Sequence, residues 1–247
     1  MYETILIDGT DIKVPGKRLL RVWEDVLETP LLRGDDLTVT DADGQDSVDE
    51  RPFDAFNLNI QLVLKDATDA LYNEARRVLT RMCKPDGTVT LTRRLAYTAA
   101  NEEHTATARY LSGLKPSAMF AMVDSDLTLV FKVLDGFWSG PTDTVTTGAV
   151  TVLGDVRTRR MTITFTGGTN PTLTNSTTGD SVTWTGTVGG TPVVVDVETM
   201  TATQGGTDVS GALTWARTFP MTLAAGTNNL SLTGGGSVST SYTPAYL

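Results

Sequence analysis

Residues 56–92 read FNLNIQLVLKDATDALYNEARRVLTRMCKPDGTVTLT, and this stretch decides the fold of the first part of the chain. Apolar and polar residues alternate over 56–64, which is the period of a strand with one buried face. A second alternation covers 88–92, directly after the turn residues Asp86-Gly87. The pattern therefore predicts two strands with a different element between them.

That element is predicted to be a helix at about 66–83. Its apolar residues recur at steps of three and four, which places them on one helix face; they are Ala67, Leu71, Ala75, Val78 and Met82. Asp66 is a suitable N-cap residue, and Pro85 ends the helix because proline cannot continue it. Further strands are predicted at 105–111, 118–123 and 127–133, so the first part reads as a small barrel or sheet with one helix.

The composition changes near Trp138, which predicts two domains, 1–140 and 141–247. Charged residues crowd into the first part, whereas the second is rich in Thr, Gly, Val, Ser and Asn. Short strand-like runs separated by turn residues fill the second part: RMTITFT, DSVTWTG, TPVVVDVE, NNLSLTG and SVSTSY. Their alternation favours a folded β-sandwich over a low-complexity, glycosylated stalk. The fold class is mainly β, with an α+β first part.

Composition excludes several function classes. The formal charge is -9 and no basic run is present, which argues against tight nucleic-acid binding. The apolar runs are too short to span a bilayer, and the first residues lack the pattern of a signal peptide. We therefore expect a globular protein made in a reducing cytoplasm, without membrane insertion.

The usual catalytic, metal and cofactor motifs are missing from the sequence. A single histidine, His104, and a single cysteine, Cys83, cannot build a Cys/His zinc site, and neither a phosphate loop nor a nucleophile elbow occurs. His104 lies in a polar stretch and is predicted to be a solvated loop residue. Asp196 and Glu198 could share one strand face as a glycosidase pair would, but such pairs are common. We assign no catalytic residue, metal ligand, cofactor-binding residue or cofactor.

The acidic segment LLRGDDLTVTDADGQDS, residues 31–47, suggests two motifs that its spacing does not support. An EF-hand loop counted from Asp41 would need Gly at position six and Glu at position twelve, where the chain has Asp46 and Pro52. Adhesion through Arg33-Gly34-Asp35 would need an extracellular protein. The segment is predicted to form a hairpin with an acidic rim.

Two tryptophans in the second part are the candidates for a sugar-binding platform, Trp184 and Trp215. Sugar sites usually combine an aromatic ring with a few polar groups. Trp184 alternates with Val182 and so shares the face of that residue, which favours a core position. The two readings, core residue and platform, both stay open for Trp215.

Motifs along nearly the whole chain resemble the distal tail proteins of long, non-contractile-tailed bacteriophages. In the first part they are TPLLRGDDLTVTDADGQD, the helix at about 66–83, and LDGFWSGP. In the second part they are GTNPTLTNSTTGDSVTWTG, VVVDVET, LAAGTNNLSLTG and the final SYTPAYL. The match rests on Asn170-Pro171, Asn175, Asp196, Gly226 and Asn228. Ala225 departs from the family pattern, which often has Pro there.

The resemblance implies a split β-barrel with a packed helix over 1–140, followed by a galectin-like β-sandwich over 141–247. It implies a structural virion protein that forms a hexameric ring at the tail tip, with tail-tube, tape-measure and tail-tip hub proteins as partners and DNA passing through the ring. A host-surface glycan is a further candidate partner. Two alternatives stay open: a tail-tube or other minor tail protein, and a carbohydrate-binding adhesin. The sequence does not identify the residues of the oligomer interface; exposed edge strands and the acidic segment 35–50 are the candidate contact regions.

Overall fold

The structure is a computed structural model that describes residues 2–12, 18–21, 55–65, 77–84, 86–95, 103–113, 124–217 and 220–247. The chain forms two compact units. Unit 1 comprises Met1–Trp138 together with Leu247, and unit 2 comprises Ser139–Tyr246.

Unit 1 is built around one antiparallel sheet. Its strands are β1 (Tyr2–Ile7), β2 (Thr10–Asp11), β3 (Arg18–Arg21), β4 (Phe56–Lys65), β5 (Thr88–Leu95), β6 (Glu103–Ser112) and β7 (Asp124–Val133). They lie in the order β2-β1-β5-β6-β7-β4-β3. Four of the six neighbouring pairs are consecutive in sequence, and the exceptions are β1 beside β5 and β4 beside β7.

The predicted strand over 56–64 is confirmed as β4, and its pairing with β7 runs from Phe56 opposite Val133 to Lys65 opposite Asp124. Leu58 and Ile60 are fully buried, as are Leu129 and Phe131 on β7. Burial of each such side chain stabilises the fold by about 1.5–3 kcal/mol. The alternation in the sequence thus places one face of the sheet in the core.

The predicted helix is confirmed where the structure describes it, over 77–83, whereas 66–76 lie outside the described residues. Leu79 and Cys83 are fully buried. Val78 and Met82, which the periodicity placed on the buried face, are only half-buried, so the helix is rotated by about one residue relative to the prediction.

A turn in the first hairpin fixes the end of this helix. Asp8 has a φ of 48° and Lys84 a φ of 42°, both in the left-handed region. The Asp8 carboxylate accepts a hydrogen bond from the Thr90 backbone N–H at 2.8 Å and pairs with Lys84 Nζ at 2.6 Å. These contacts hold the pKa of Asp8 below its usual value, with the Lys84 hydrogen bond as the largest cause.

Unit 2 contains two antiparallel sheets and a single 3₁₀ turn at Ser210–Ala212. Two short strands, β8 (Trp138–Ser139), which begins at the unit boundary, and β20 (Ala245–Tyr246), belong to neither of these sheets. The two sheets are formed by β9 (Asp143–Val145), β10 (Gly148–Val152), β11 (Met161–Thr166), β12 (Thr172–Asn175), β13 (Asp180–Trp184), β14 (Val193–Asp196), β15 (Thr201–Gln204), β16 (Thr207–Asp208), β17 (Leu213–Trp215), β18 (Gly226–Thr233) and β19 (Ser237–Tyr242). The five-stranded sheet has the order β10-β18-β12-β13-β17, and the six-stranded sheet has the order β16-β15-β14-β11-β19-β9.

The two sheets of unit 2 share one apolar core, as the sandwich prediction requires. The five-stranded sheet contributes Leu173 and Val182, and the six-stranded sheet contributes Ile163, Phe165 and Val195, all fully buried. Threonines and serines alternate with these residues and point outward, which explains why a threonine-rich sequence still builds a core. The mainly β fold class, with one helix in the first part, is confirmed.

Glycines let two loops of the sandwich cross at close range. Gly168 and Gly234 have φ values of 94° and 84°. The Thr169 N–H donates to the Gly234 carbonyl oxygen at 2.8 Å. A Cβ at Gly234 would lie 2.6 Å from the carbonyl oxygens of Thr169 and Asn170. The glycine cluster 234–236 is therefore a packing feature of the sandwich.

Two predicted features cannot be compared with the structure. The hairpin over 31–47 and the strand over 118–123 lie outside the described residues. Among the helices that the structure does describe, none has the length and apolar character needed to cross a membrane.

Candidate functional site

A polar cleft opens on unit 2, on the outer face of the six-stranded sheet. Its volume is about 370 Å³, and it is lined by Thr142, Arg160, Met161, Thr162, Asp196, Glu198, Ser241, Tyr242 and Thr243. The floor is a row across three adjacent strands, in which Thr162 of β11 lies opposite both Asp196 of β14 and Ser241 of β19. Because side chains alternate along a strand, all three point away from the core.

The charged side chains of the cleft are held by neighbouring groups. Arg160 Nε lies 3.6 Å from Glu198 Oε1, and its Nη1 donates to Ser139 Oγ at 3.1 Å. Asp196 Oδ1 accepts a hydrogen bond from the Thr199 backbone N–H at 3.2 Å. The sequence placed Asp196 and Glu198 on one strand face, but it gave no indication that Arg160 lies between them and Ser139.

Tyr242 closes the cleft from below and is only 1% exposed. Its hydroxyl donates to Asp143 Oδ2 at 3.1 Å and accepts from the Leu153 backbone N–H at 3.1 Å. Burial raises the pKa of Tyr242; the Leu153 hydrogen bond opposes this, and the neighbouring Asp143 adds to it. The phenol is therefore neutral and fixed at neutral pH.

Trp184 lies in the sandwich core, with 6% of its surface exposed. A Cβ on Gly186 would come within 2.6 Å of the indole ring, so the Gly186 backbone covers one ring face. Within the described part of the chain, the indole N–H has no hydrogen-bond partner. This environment fits the core interpretation of Trp184.

Trp215 is half-buried on the edge strand β17. It lies opposite Val182, so its side chain points towards the core, against which it packs. An inward, edge-strand position leaves part of the ring accessible. Sugar binding by either tryptophan stays a prediction.

Two of the asparagines on which the family resemblance rests form a buried amide pair. Asn175 Nδ2 donates to Asn228 Oδ1 at 2.9 Å and to the Thr222 carbonyl oxygen at 3.0 Å. Asn228 Oδ1 also accepts from the Ala224 N–H, and Asn228 Nδ2 donates to the Ala224 carbonyl oxygen at 2.7 Å. Both residues are fully buried. They lock the loop before β18 onto the five-stranded sheet, so their role is structural.

Asp180 anchors the same loop from the other side. Its Oδ2 accepts hydrogen bonds from the Thr222 backbone N–H at 3.1 Å and the Thr222 hydroxyl at 2.8 Å. Arg217 Nε lies 3.7 Å from Asp180 Oδ1. Asp180 is buried, so this carboxylate serves the fold rather than a ligand.

The expectation of a solvated loop position for His104 is wrong. His104 is 1% exposed on β6, opposite Arg93 of β5, whose Nε donates to His104 Nδ1 at 3.2 Å. The Arg93 guanidinium lies 4.6 Å from the centroid of the Trp138 ring. The signal was available in the sequence, since His104 is in phase with the buried Ala106 and Ala108, but the flanking polar residues obscured it.

Cys83 is buried in unit 1, and burial raises the pKa of its thiol to about 12. A thiol in this state is a poor nucleophile. The described residues contain no group of three or more His, Cys, Asp or Glu side chains placed to hold a metal ion.

The acidic segment 35–50, a predicted contact region, lies outside the described residues. Exposed edge strands were the other predicted contact region, and unit 2 has four: β10 and β17 in one sheet, β16 and β9 in the other. The oligomer interface stays unassigned.

One family model matches a segment that lies within unit 2. Residues 153–246 match the family model described as siphovirus-type tail component, C-terminal domain. None of the proteins of curated function matches the chain.

Comparison with solved structures identifies the fold of the whole chain. This chain is similar in fold to the SPP1 Dit (gp 19.1) protein, which is described as a paradigm of the hub adsorption apparatus in phages that infect Gram-positive bacteria. The TM-score is 0.71 at 16% identity over 100% of both chains. Chains of the phage P2 baseplate in its activated conformation, one with Ca and one with Sr, give TM-scores of 0.43 and 0.42 at 9% identity over 98% of this chain and 97% of theirs. The family model confirms the resemblance over residues 153–246, and for the whole chain the SPP1 Dit structure shows the same fold.

Proposed function

We propose that this protein is a structural component of a phage tail tip, where it forms a hexameric ring that joins the tail tube to the tail-tip hub and the host-adsorption apparatus. One observation carries the proposal: the match of residues 153–246 to the siphovirus-type tail component model. The full-length likeness of the fold to SPP1 Dit supports it.

In this proposal the two domains have different roles in the tail tip. Residues 1–140 form the ring, and residues 141–247 project outward as an attachment or spacer module. A ring requires two different, complementary surfaces on each subunit, so that a head-to-tail contact repeats and closes by rotation. A tail-tube protein could use the same architecture but would stack into long tubes.

The charge distribution is compatible with a ring through which DNA passes. Between residues 139 and 246 the chain has four arginines, no lysine and six carboxylates, a net charge of -2. The total is -9, so the remaining -7 falls on the first unit. A bore of this sign would repel the phosphates of DNA and let a genome pass without sticking. A strongly basic bore in a solved ring would contradict this step.

The proposed mechanism is geometric and includes no catalytic step. His104 and Cys83 are the only histidine and cysteine of the chain, and both are buried. The proposed partners are the tail-tube, tape-measure and hub proteins. Assembly would take place in the host cytoplasm, and the mature location would be the tail tip of the virion.

Light scattering on the purified protein, followed by negative-stain imaging of the main peak, tests the proposal. We expect a mass of six subunits and closed rings with six-fold symmetry. Long tubes would favour the tail-tube alternative instead. If the protein is monomeric, binding to purified tail tubes becomes the decisive measurement, and failure to bind their tips would overturn the proposal.

A further inference from the structure

We propose that the polar cleft on the six-stranded sheet binds a neutral, polyhydroxylated ligand, namely a short stretch of glycan. The inference concerns unit 2 alone and does not rest on ring formation. It also differs from a platform built on Trp184 or Trp215, because neither tryptophan lines the cleft.

The floor of the cleft offers hydrogen-bonding groups at regular spacing. Asp196, Thr162 and Ser241 occupy one row on three neighbouring strands, so they repeat at about 4.8 Å and span about 10 Å. The hydroxyls of Thr162 and Ser241 can each donate and accept a hydrogen bond, whereas the Asp196 carboxylate, at one end of the row, only accepts. A sugar hydroxyl can also donate and accept a hydrogen bond, so it can pair with a hydroxyl or with the carboxylate of this row.

The charge balance of the cleft selects against anionic ligands. Asp196 and Glu198 together carry two negative charges, and Arg160 carries one positive charge. Glu198, whose Oε1 lies 3.6 Å from Arg160 Nε, partly neutralises the charge of Arg160. A phosphate, sulfate or uronate would meet a net negative site. A neutral ligand would gain charge-assisted hydrogen bonds from both signs without that repulsion.

The polar side chains are already fixed before a ligand binds. The Thr199 N–H holds Asp196, and Ser139 and Glu198 hold Arg160. Met161 and Tyr242 are buried beneath the floor and keep the strands rigid. Pre-organisation of this kind reduces the entropy that binding must overcome.

The size and the surroundings of the cleft suit a chain of sugars rather than a single one. Its volume of about 370 Å³ falls in the range of small-molecule sites, roughly 300–1,000 Å³. The next row on the same outer face consists of Val194, Thr164 and Ser239, and Val194 is 37% exposed. The exposed Val194 gives the C–H face of a pyranose ring an apolar surface beside the floor.

The experiment uses the full chain and defined probes. Maltotriose, cellotriose, chitotriose and galactotriose serve as neutral probes, and a hyaluronan tetrasaccharide serves as the anionic comparator, with binding measured by titration calorimetry. The variants are Asp196→Asn, which removes the negative charge from the floor, and Thr162→Val, which removes a hydroxyl from it. The matched control is Thr166→Val, on the same strand and the same outer face but outside both the cleft lining and the row of Val194.

We expect wild type to bind at least one neutral probe and the anionic probe to bind more weakly. Asp196→Asn should weaken binding about tenfold or more, since the hydrogen bonds that the ligand donates to this side chain lose their charge assistance. Thr162→Val should also weaken it, while Thr166→Val should leave it nearly unchanged. The proposal is overturned if no neutral probe binds, if only the anionic probe binds, or if binding survives Asp196→Asn but is abolished by Trp215→Ala.

Discussion

At the scale of single residues, the buried asparagines show that residues which carry a family resemblance can serve the fold rather than a ligand. Asn175 and Asn228 carried the resemblance to the tail-protein family, yet the structure gives them a loop-locking role. Each amide satisfies main-chain groups that would otherwise be buried without partners. No pattern in the sequence distinguishes this from a ligand-binding role, because the partners lie about fifty residues apart.

We predict that Asn228→Ala destabilises unit 2 by about 2–4 kcal/mol. The change leaves the Ala224 N–H and carbonyl oxygen, and the Asn175 amide, without their partner in a buried site. Urea unfolding followed by tryptophan fluorescence measures the effect. The neighbouring Asn229 is exposed, so Asn229→Ala is the control and should change stability little. Equal losses in the two variants would contradict the structural role.

The buried phenol of Tyr242 makes a prediction about alkaline pH. Burial raises its pKa in the folded state above the unfolded value of about 10. The folded protein then retains the proton more tightly than the unfolded chain, so this contribution is fully present below pH ~10 and is lost as pH rises through the folded pKa. Stability should fall above pH ~10.

Tyr242→Phe tests this by removing the titrating group. At neutral pH it should cost about 1–2 kcal/mol, because the hydrogen bonds with Asp143 and Leu153 are lost. Above pH ~10 its unfolding free energy should decline less steeply than that of wild type. Asp143→Asn removes a cause of the raised pKa and should give an intermediate slope. Parallel curves for wild type and Tyr242→Phe would refute the assignment.

At the scale of elements, a strong alternation of apolar and polar residues was sufficient to predict a strand, whereas strands with weak alternation were missed. The strand over 56–64 and the runs that became β11, β13, β14, β18 and β19 were predicted because a buried face repeats every second residue. The edge strands β10 and β16 were missed. β10 is mostly exposed and β16 has two residues, so their pairing depends on a partner strand rather than on their own pattern.

The crossing glycine loops allow an element-scale prediction with a matched control. Gly234 and Gly206 have nearly equal φ values, 84° and 82°, so Ala at either position should suffer similar backbone strain of about 1 kcal/mol. Only at Gly234 would the new Cβ meet main-chain oxygens, at 2.6 Å, whereas Gly206 has open space. We therefore expect Gly234→Ala to cost about 1–3 kcal/mol more than Gly206→Ala in chemical unfolding. Equal costs would show that the loops do not approach this closely.

At the scale of the whole molecule, the sequence predicted the order of two different parts but not the cleft. The cleft residues come from four separated segments: 142, 160–162, 196–198 and 241–243. Only the register of β14, β11 and β19 brings them together. This arrangement depends on the strand topology, and it cannot be predicted from the spacing of the residues along the chain.

The charge of the whole chain leads to a prediction about assembly. A subunit with a net charge of -9 repels its neighbours in a ring, and most of that charge lies on the part proposed to form the ring. Between about 0.02 M and about 0.5 M NaCl the screening length falls from roughly 20 Å to roughly 4 Å, which removes most of the repulsion between exposed charges. The ring fraction, measured by light scattering at fixed protein concentration, should therefore rise with salt. A ring fraction that falls with salt would instead show that opposite charges, paired across the subunit interface, hold the ring together.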